Sequence, residues 1–308
     1  MPQIAGREVG TIGFGLMGLT WRPEPCSQEQ AFAAMRAALA SGANFWNGGE
    51  FYGTPEHNSM TLLAAYFEKY PEDASKNTRR SVDEIVSQLK GTIKVDLFEC
   101  ARRDPNVPLE TTFGVLESEY IKTGKIGGIS LSEVSAKTIH EAVKVTKIEA
   151  VEVELSLWAT EVLENGVAEA CAQYNIPLVA YSPLGRGILT GQIKTPDDIP
   201  KGDYRHHLPR FQPDTFPINL ELVREVEKLA KKKNCTMSQL AIGWCLTLAR
   251  RPNMPTIIPI PGATTAARVE ENNKIVELTD EEMAEIDHIL GKFEVVGDRY
   301  AAGVPVHT

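Results

Sequence analysis

The chain has 308 residues, a formal charge of −9, 43% hydrophobic and 24% charged residues, a balance ordinary for a soluble enzyme and long enough for two average domains or one large α/β barrel. Net acidity argues against a nucleic-acid binder, which shows a basic stripe, while leaving room for a local basic pocket. Five scattered cysteines without a C-x-x-C argue against a disulfide scaffold or a metal site. With no 18-residue apolar run and no signal-like N-terminus, a cytoplasmic protein without a membrane partner is expected.

In chain order, "VGTIGFG" reads as the first strand. "SQEQAFAAMRAALASG" reads as an amphipathic helix, with Ser27 and Gln30 as a capping box and Gly42 as its stop. A strand "ANFWN" and a helix through "SMTLLAAYFEKY" follow. Further strands are expected at "KVDLFEC", "KIGGISL", "AVEVELSL", "PLVAYSP" and "PTIIPIP". Helices separate them at "LETTFGVLESEYIKTG", "AKTIHEAVKV", "TEVLENGVAEACAQY", 218–233, 236–250 and "TAARVEENNKI"; Thr236/Gln239 and Thr279/Glu282 are two more capping boxes. Repeated β-then-α units mean a parallel sheet. No linker divides the chain, so one (β/α)8 TIM barrel over 1–308 is preferred, with 191–217 as a loop on the active face and 292–308 as a C-terminal tail.

Gly13, Gly15 and Gly18 carry the G-x-G-x-x-G spacing of a dinucleotide fingerprint, which needs a helix opening within the motif. Here "LTWRPEPCS" intervenes, with Pro23 and Pro25, and the helix is expected only from Ser27. The run is therefore read as a strand end where backbone comes close to something else.

Five stretches together resemble the aldo-keto reductase family, NADPH-dependent carbonyl reductases built on a (β/α)8 barrel. They are "GFGLMGLTW", "NFWNGGEFYG", "GGISLSEVS", "VAYSPLGRGILTG" and "IPIPGATTAARVEEN", each at the C-terminal end of a strand, where barrel active sites lie. "EFYG", "DLFECARRDPNVP" and "LSEVS" are similar in wording to the fungal pyridoxal reductase branch. The resemblance implies an NADP cofactor extended across the barrel mouth, with the Gly15–Met17 backbone beside the nicotinamide and Tyr181 stacked on it. Ser132, Glu133 and Glu152 match positions that grip the carboxamide. The family's usual residues at the last two are Asn and Gln, and a carboxylate accepts but cannot donate. Ser182, Leu184 and Arg186 would follow the pyrophosphate. Gly262 admits a phosphate, Ala263, Thr264 and Thr265 present donors at a helix start, and Arg268 forks onto the 2′-phosphate. Glu271 and Asn272 match positions near the adenine. Without the other four stretches, this last segment reads as an ordinary capped helix with a solvated arginine.

For the chemistry, the resemblance makes Tyr52 the proton donor; a free phenol, with a pKa of about 10, is protonated at neutral pH. Asn47 stands where the family has Asp, and Ala101 where it has His, with Glu99 and Arg102 nearby; the Asn and Ala are both familiar in the pyridoxal reductase branch. "YPEDASKNTRRSVDEI", residues 70–85, contains no apolar run where the family places strand three and its catalytic lysine. That strand is expected to be absent, and Lys76 is not given the lysine's role. A lost exon segment, residues missing from this chain, or a genuinely altered barrel would each produce this. The expected function is reduction of a small aldehyde or ketone, either pyridoxal-like or a keto intermediate of fungal secondary metabolism. Trp21, Trp46, Phe51 and the tail either wall the pocket or belong to the core. The alternatives are a catalytically weak nucleotide-binding relative acting as a redox-sensing or partner-binding subunit, and a truncated product that binds nothing.

Overall fold

The computed structural model describes residues 1–70, 73, 87–92, 94–104 and 106–308. The chain begins with a hairpin that the sequence reading did not anticipate. β1 (Gln3–Ile4) and β2 (Arg7–Glu8) run antiparallel. Ala5 and Gly6 turn them with φ of 50° and 74°, the positive φ at both central positions that a two-residue hairpin turn demands. The first expected strand is shorter than "VGTIGFG": β3 is Phe14–Gly15, paired in parallel with β4 (Trp46–Asn47).

β5 (Val95–Cys100), β6 (Ile126–Ser132), β7 (Ile148–Glu154), β8 (Leu178–Tyr181) and β9 (Ile257–Pro259) form a parallel sheet in chain order. β9 reaches back to β3 through the Gly13 amide, which donates to the Pro259 carbonyl at 2.9 Å, and through a parallel bridge between Gly15 and Gly262. The strands therefore follow one another as β4-β3-β9-β8-β7-β6-β5, an α/β architecture wrapped most of the way round a barrel. Among the described residues no strand joins β4 to β5. The expected loss of the third barrel strand, and Lys76 with it, fall on 70–85, of which 71–72 and 74–85 lie outside the described residues.

Alternation along the strands sorts the side chains. One set, with Phe45, Leu97, Ala150, Val179, Ile258 and Ile260, faces the barrel interior and packs with Ile4 and Val9 of the hairpin. Arg7 binds Asp96 at 2.7 Å, Asn44 accepts from the Gly10 amide, and both partners lie at strand N-terminal ends, so the hairpin plugs that end of the barrel. The other set, including Phe14, Trp46, Ile129, Leu131, Val151, Val153 and Ala180, packs outward under the helices.

The helix boundaries mostly follow their caps. Thr236/Gln239 and Thr279/Glu282 form both halves of their capping boxes around the helices Met237–Leu248 and Asp280–Leu290. Ser27 accepts from the Gln30 amide at the start of Gln28–Ala40, but the Gln30 side chain donates to the Thr264 carbonyl at 2.7 Å, fastening this helix to the loop after β9. Three expectations change. A four-residue helix, Met17–Thr20, opens inside the glycine run. Gly166, at φ 84°, breaks "TEVLENGVAEACAQY", leaving Val167–Gln173 as the helix. The 191–217 loop winds through 3-10 turns at Pro196–Asp198, Tyr204–His207 and Pro209–Phe211.

Candidate active site

The inward-facing positions change character along the strands. Near the hairpin they are apolar; one or two steps toward the C-terminal ends they are Asn47, Glu99, Ser130, Ser132, Glu152, Glu154 and Tyr181. All but Tyr181, which is partly buried, are under 9% exposed. Buried polar groups must be hydrogen-bonded or paired, as Asn47, Glu99, Ser130, Glu152, Glu154 and Tyr181 are. Asn47 Nδ2 donates to Glu152 Oε2 at 2.8 Å, and Ser130 Oγ donates to Glu99 Oε2 at 2.7 Å. Two expected site residues, Asn47 and Glu152, are thus brought into direct contact from strands 105 positions apart.

Tyr52 sits on the loop after β4. Its amide donates to the Gly49 carbonyl at 3.1 Å and its carbonyl accepts from Thr20 Oγ1 at 2.6 Å. Gly53, at φ 129°, ends this turn. A Cβ there would lie 2.1 Å from the His57 carbonyl oxygen, so only glycine fits. The Tyr52 ring stacks on Trp21 at 5.9 Å and meets Phe51 edge-on at 4.6 Å; Trp21 also stacks on Tyr204 at 6.0 Å. Trp21 and Phe51 are 43% and 47% exposed, so this aromatic group opens to solvent, whereas Trp46 is core, packed against Phe67 and Tyr66.

Across the mouth lies a buried ionic network. Glu133 has no exposed surface, and its carboxylate accepts from the Glu154 amide, Tyr181 hydroxyl and two nitrogens of Arg299. Glu154 pairs with Arg186 at 2.6 Å and Arg299 at 3.0 Å. Burial pushes the Glu133 carboxyl up, but the Arg299 guanidinium and the Tyr181 hydroxyl outweigh it and hold it below the usual carboxylate range. Burial, with Glu154, Tyr300 and Glu133 adding to it, drives the Tyr181 phenol well above its ordinary value. Glu133, Ser182 and Arg186 all have left-handed backbones, at φ 51°, 50° and 56°. Such strain in residues with side chains gathers where function over-determines the backbone.

Arg299 and Tyr300 were not singled out in the sequence, where the tail shows no periodicity that would mark them. Glu154 was likewise passed over, its neighbour Glu152 carrying the resemblance. Ala101 supplies no polar group, and the Arg102 Nε donates to the Pro305 carbonyl at 2.7 Å. Cys171 and Cys245 are buried, their thiols pushed up to about 12 by desolvation. No group of side chains suited to a metal ion occurs among the described residues, nor a helix long and apolar enough to cross a membrane.

The third part of the site lies where β3 and β9 end. The Gly15–Gly262 bridge sets the glycine run beside "PGATT", and a Cβ on Gly15 would be 3.0 Å from the Ile260 carbonyl oxygen. Thr265 caps the helix Ala266–Asn272, accepting from the Arg268 amide at 3.3 Å. Arg268 is exposed, and its guanidinium donates to Gln192 of the 191–217 loop at 2.7 Å. Met17 starts the short helix, Leu184 is 9% exposed, and Glu271 is half-buried, while Asn272, 5% exposed, is turned into the packing of its helix. An exposed guanidinium on a neutral amide, beside glycine backbone and two threonines, is a donor set suited to phosphate. At its phosphate end a dinucleotide fits these residues.

The model of the aldo/keto reductase family matches residues 11–290. The chain is 38% identical to a probable pyridoxal reductase 2 of Schizosaccharomyces pombe, covering 97% of each chain. It is 36% identical to an NADP(+) aldo-keto reductase of the same yeast, covering 98% of this chain and 94% of the relative. The alignment with the former runs over 328 positions, so at least 20 of that relative's positions have no counterpart here. In fold it is similar to a glycerol dehydrogenase from Gluconobacter oxydans, with a TM-score of 0.79 at 20% identity, covering 99% of this chain and 98% of that one.

Proposed function

The chain belongs to the aldo/keto reductase family, and from that premise we propose that it reduces a small aldehyde or ketone with NADPH, a pyridoxal-like carbonyl being the first candidate and a keto intermediate of fungal secondary metabolism the second. The observation that carries this reading is the convergence at one barrel mouth of Tyr52, the Asn47–Glu152 pair and the Gly262–Arg268 segment, at the C-terminal ends of β4, β7 and β9.

In this reading Arg268, Thr264 and the Gly262 backbone hold the phosphates, Ser182, Leu184 and Arg186 border the diphosphate, and Tyr181 faces the nicotinamide. Ser132 and Glu152 take the carboxamide, because the Glu133 carboxylate is already committed to Arg299 and Tyr181. When bound, the nicotinamide supplies a hydride to the carbonyl carbon. Tyr52 holds the proton at its hydroxyl and delivers it to the carbonyl oxygen as negative charge develops there. Trp21 and Phe51 pack against the Tyr52 ring and hold it in place. The site is cytoplasmic in this reading.

A second reading is a nucleotide-binding relative with little turnover. It is favoured by the tail, whose Arg299 and Tyr300 close over Tyr181. Steady-state NADPH oxidation with pyridoxal and a panel of aldehydes and ketones decides. Turnover supports the reductase, whereas NADPH binding without turnover of any carbonyl rejects it for the second reading.

A further inference from the structure

The last ten residues cross the barrel mouth as a strap fastened at three levels. Before them, Val296 is held by Asn219, which donates to its carbonyl at 2.9 Å and accepts from its amide at 2.7 Å. In the middle, Arg299, 7% exposed, spans Glu133 and Glu154. At the end, Thr308 exchanges backbone hydrogen bonds with Glu133 and Ser135, both at 3.0 Å. Tyr300 is thereby seated above β8. Its hydroxyl is 2.6 Å from that of Tyr181, and its ring lies under the Arg186 guanidinium at 4.5 Å. The cleft beside Arg299, lined also by Glu154, Trp158, Arg186 and Arg210, has a volume of about 10 Å³, scarcely room for one water. Sites for small ligands and cofactors run from roughly 300 to 1,000 Å³; with the Tyr300 hydroxyl 2.6 Å from that of Tyr181, the strapped mouth leaves no such space over the Tyr181 hydroxyl.

We propose that residues 299–308 are an autoinhibitory strap, latched by Arg299 across Glu133 and Glu154, that must lift Tyr300 off Tyr181 before the nicotinamide end of a dinucleotide can enter. The proposal rests on the assignment of Tyr181 to the nicotinamide. A ligand that binds only the open form is weakened by the fraction of molecules that are open, and a change that removes the latch removes that penalty. The phosphate end, at Gly262 and Arg268, is outside the strap, so the dinucleotide can dock there first.

The test uses the intact chain, Tyr300→Ala, and a chain ending at Asp298, with NADPH followed by stopped-flow fluorescence. In the intact chain the binding rate is expected to level off with NADPH concentration, at the rate of strap opening. In the chain ending at Asp298 the plateau disappears, and in both variants, which lack the ring over Tyr181, NADPH binds at least tenfold more tightly. Hydrogen exchange on the intact chain gives a second readout: saturating NADPH is expected to speed exchange of the 299–308 peptide at least tenfold. Tyr300→Ala keeps both carboxylate pairs, so it and the exchange experiment decide even where the shortened chain does not fold. Equal or weaker NADPH binding by Tyr300→Ala, or a tail that stays protected when NADPH is bound, overturns the strap alone. Failure of every form to bind NADPH overturns the strap together with the cofactor assignment.

Discussion

Asn47 and Glu152 share a 2.8 Å hydrogen bond inside the barrel, the amide of one strand donating to the carboxylate of another. The resemblance gave these two positions the opposite chemistry, a carboxylate at 47 and an amide at 152. The pair therefore keeps one amide and one carboxylate in contact with their places exchanged, and a change at one position alone breaks it.

Asn47→Asp puts two buried carboxylates in contact. Like charges cannot both ionise, so one pKa rises above its unfolded value. Its charged form then opposes folding as pH climbs through the carboxylate range. The variant is expected to lose about 1–3 kcal/mol at pH 7 and to recover part of it at pH 5. Urea denaturation at both values checks this; an equal loss at the two would show that the contact is not electrostatic.

Tyr52→Phe keeps the ring against Trp21 and Phe51 and removes only the hydroxyl. Turnover of carbonyl substrates is expected to fall at least 100-fold, the scale of general acid catalysis, with NADPH affinity nearly unchanged. Full activity in the variant removes Tyr52 as the acid.

Gly53→Ala tests how the loop holds that residue. With φ at 129° and the His57 carbonyl in the way, the turn must reopen. Turnover is expected to drop at least tenfold, while the barrel, which does not depend on this loop, unfolds within a few degrees of the parent. A melting curve together with kcat separates the two effects.

Arg268→Ala is expected to weaken NADPH by roughly 10- to 100-fold, the range of one lost charge-assisted contact of about 1.5–3 kcal/mol. NADH, which lacks the 2′-phosphate, should change little. Fluorescence titration with both nucleotides reads the difference; equal weakening places the 2′-phosphate elsewhere.

The Glu133 carboxyl is held below its ordinary range in the folded chain. Its contribution to stability is therefore full above the unfolded carboxylate value of about 4.3 and is lost as pH falls below it. Arg299→Gln leaves Glu133 buried without its cation, reversing the shift. The variant is expected to be about 3–5 kcal/mol less stable at pH 7, with the gap to the parent closing toward pH 3.5. Denaturation across that range measures it.

The sequence by itself determined whatever is settled by near neighbours along the chain. Helix starts at Thr236 and Thr279 follow from a hydroxyl three residues before its partner, and the order of strands and helices follows from their periods. The loops carrying Tyr52 and Arg268 were legible because glycines and caps act over a few residues. Only the tertiary structure decided the N-terminal plug, the Asn47–Glu152 pair and the Arg299 latch on Glu133, whose members are 105 and 166 positions apart in the last two cases. A charged residue in an unpatterned segment finds its partner only when the strands have closed around a low-dielectric lumen. There an unpaired carboxylate is costly enough to fix where the end of the chain must lie.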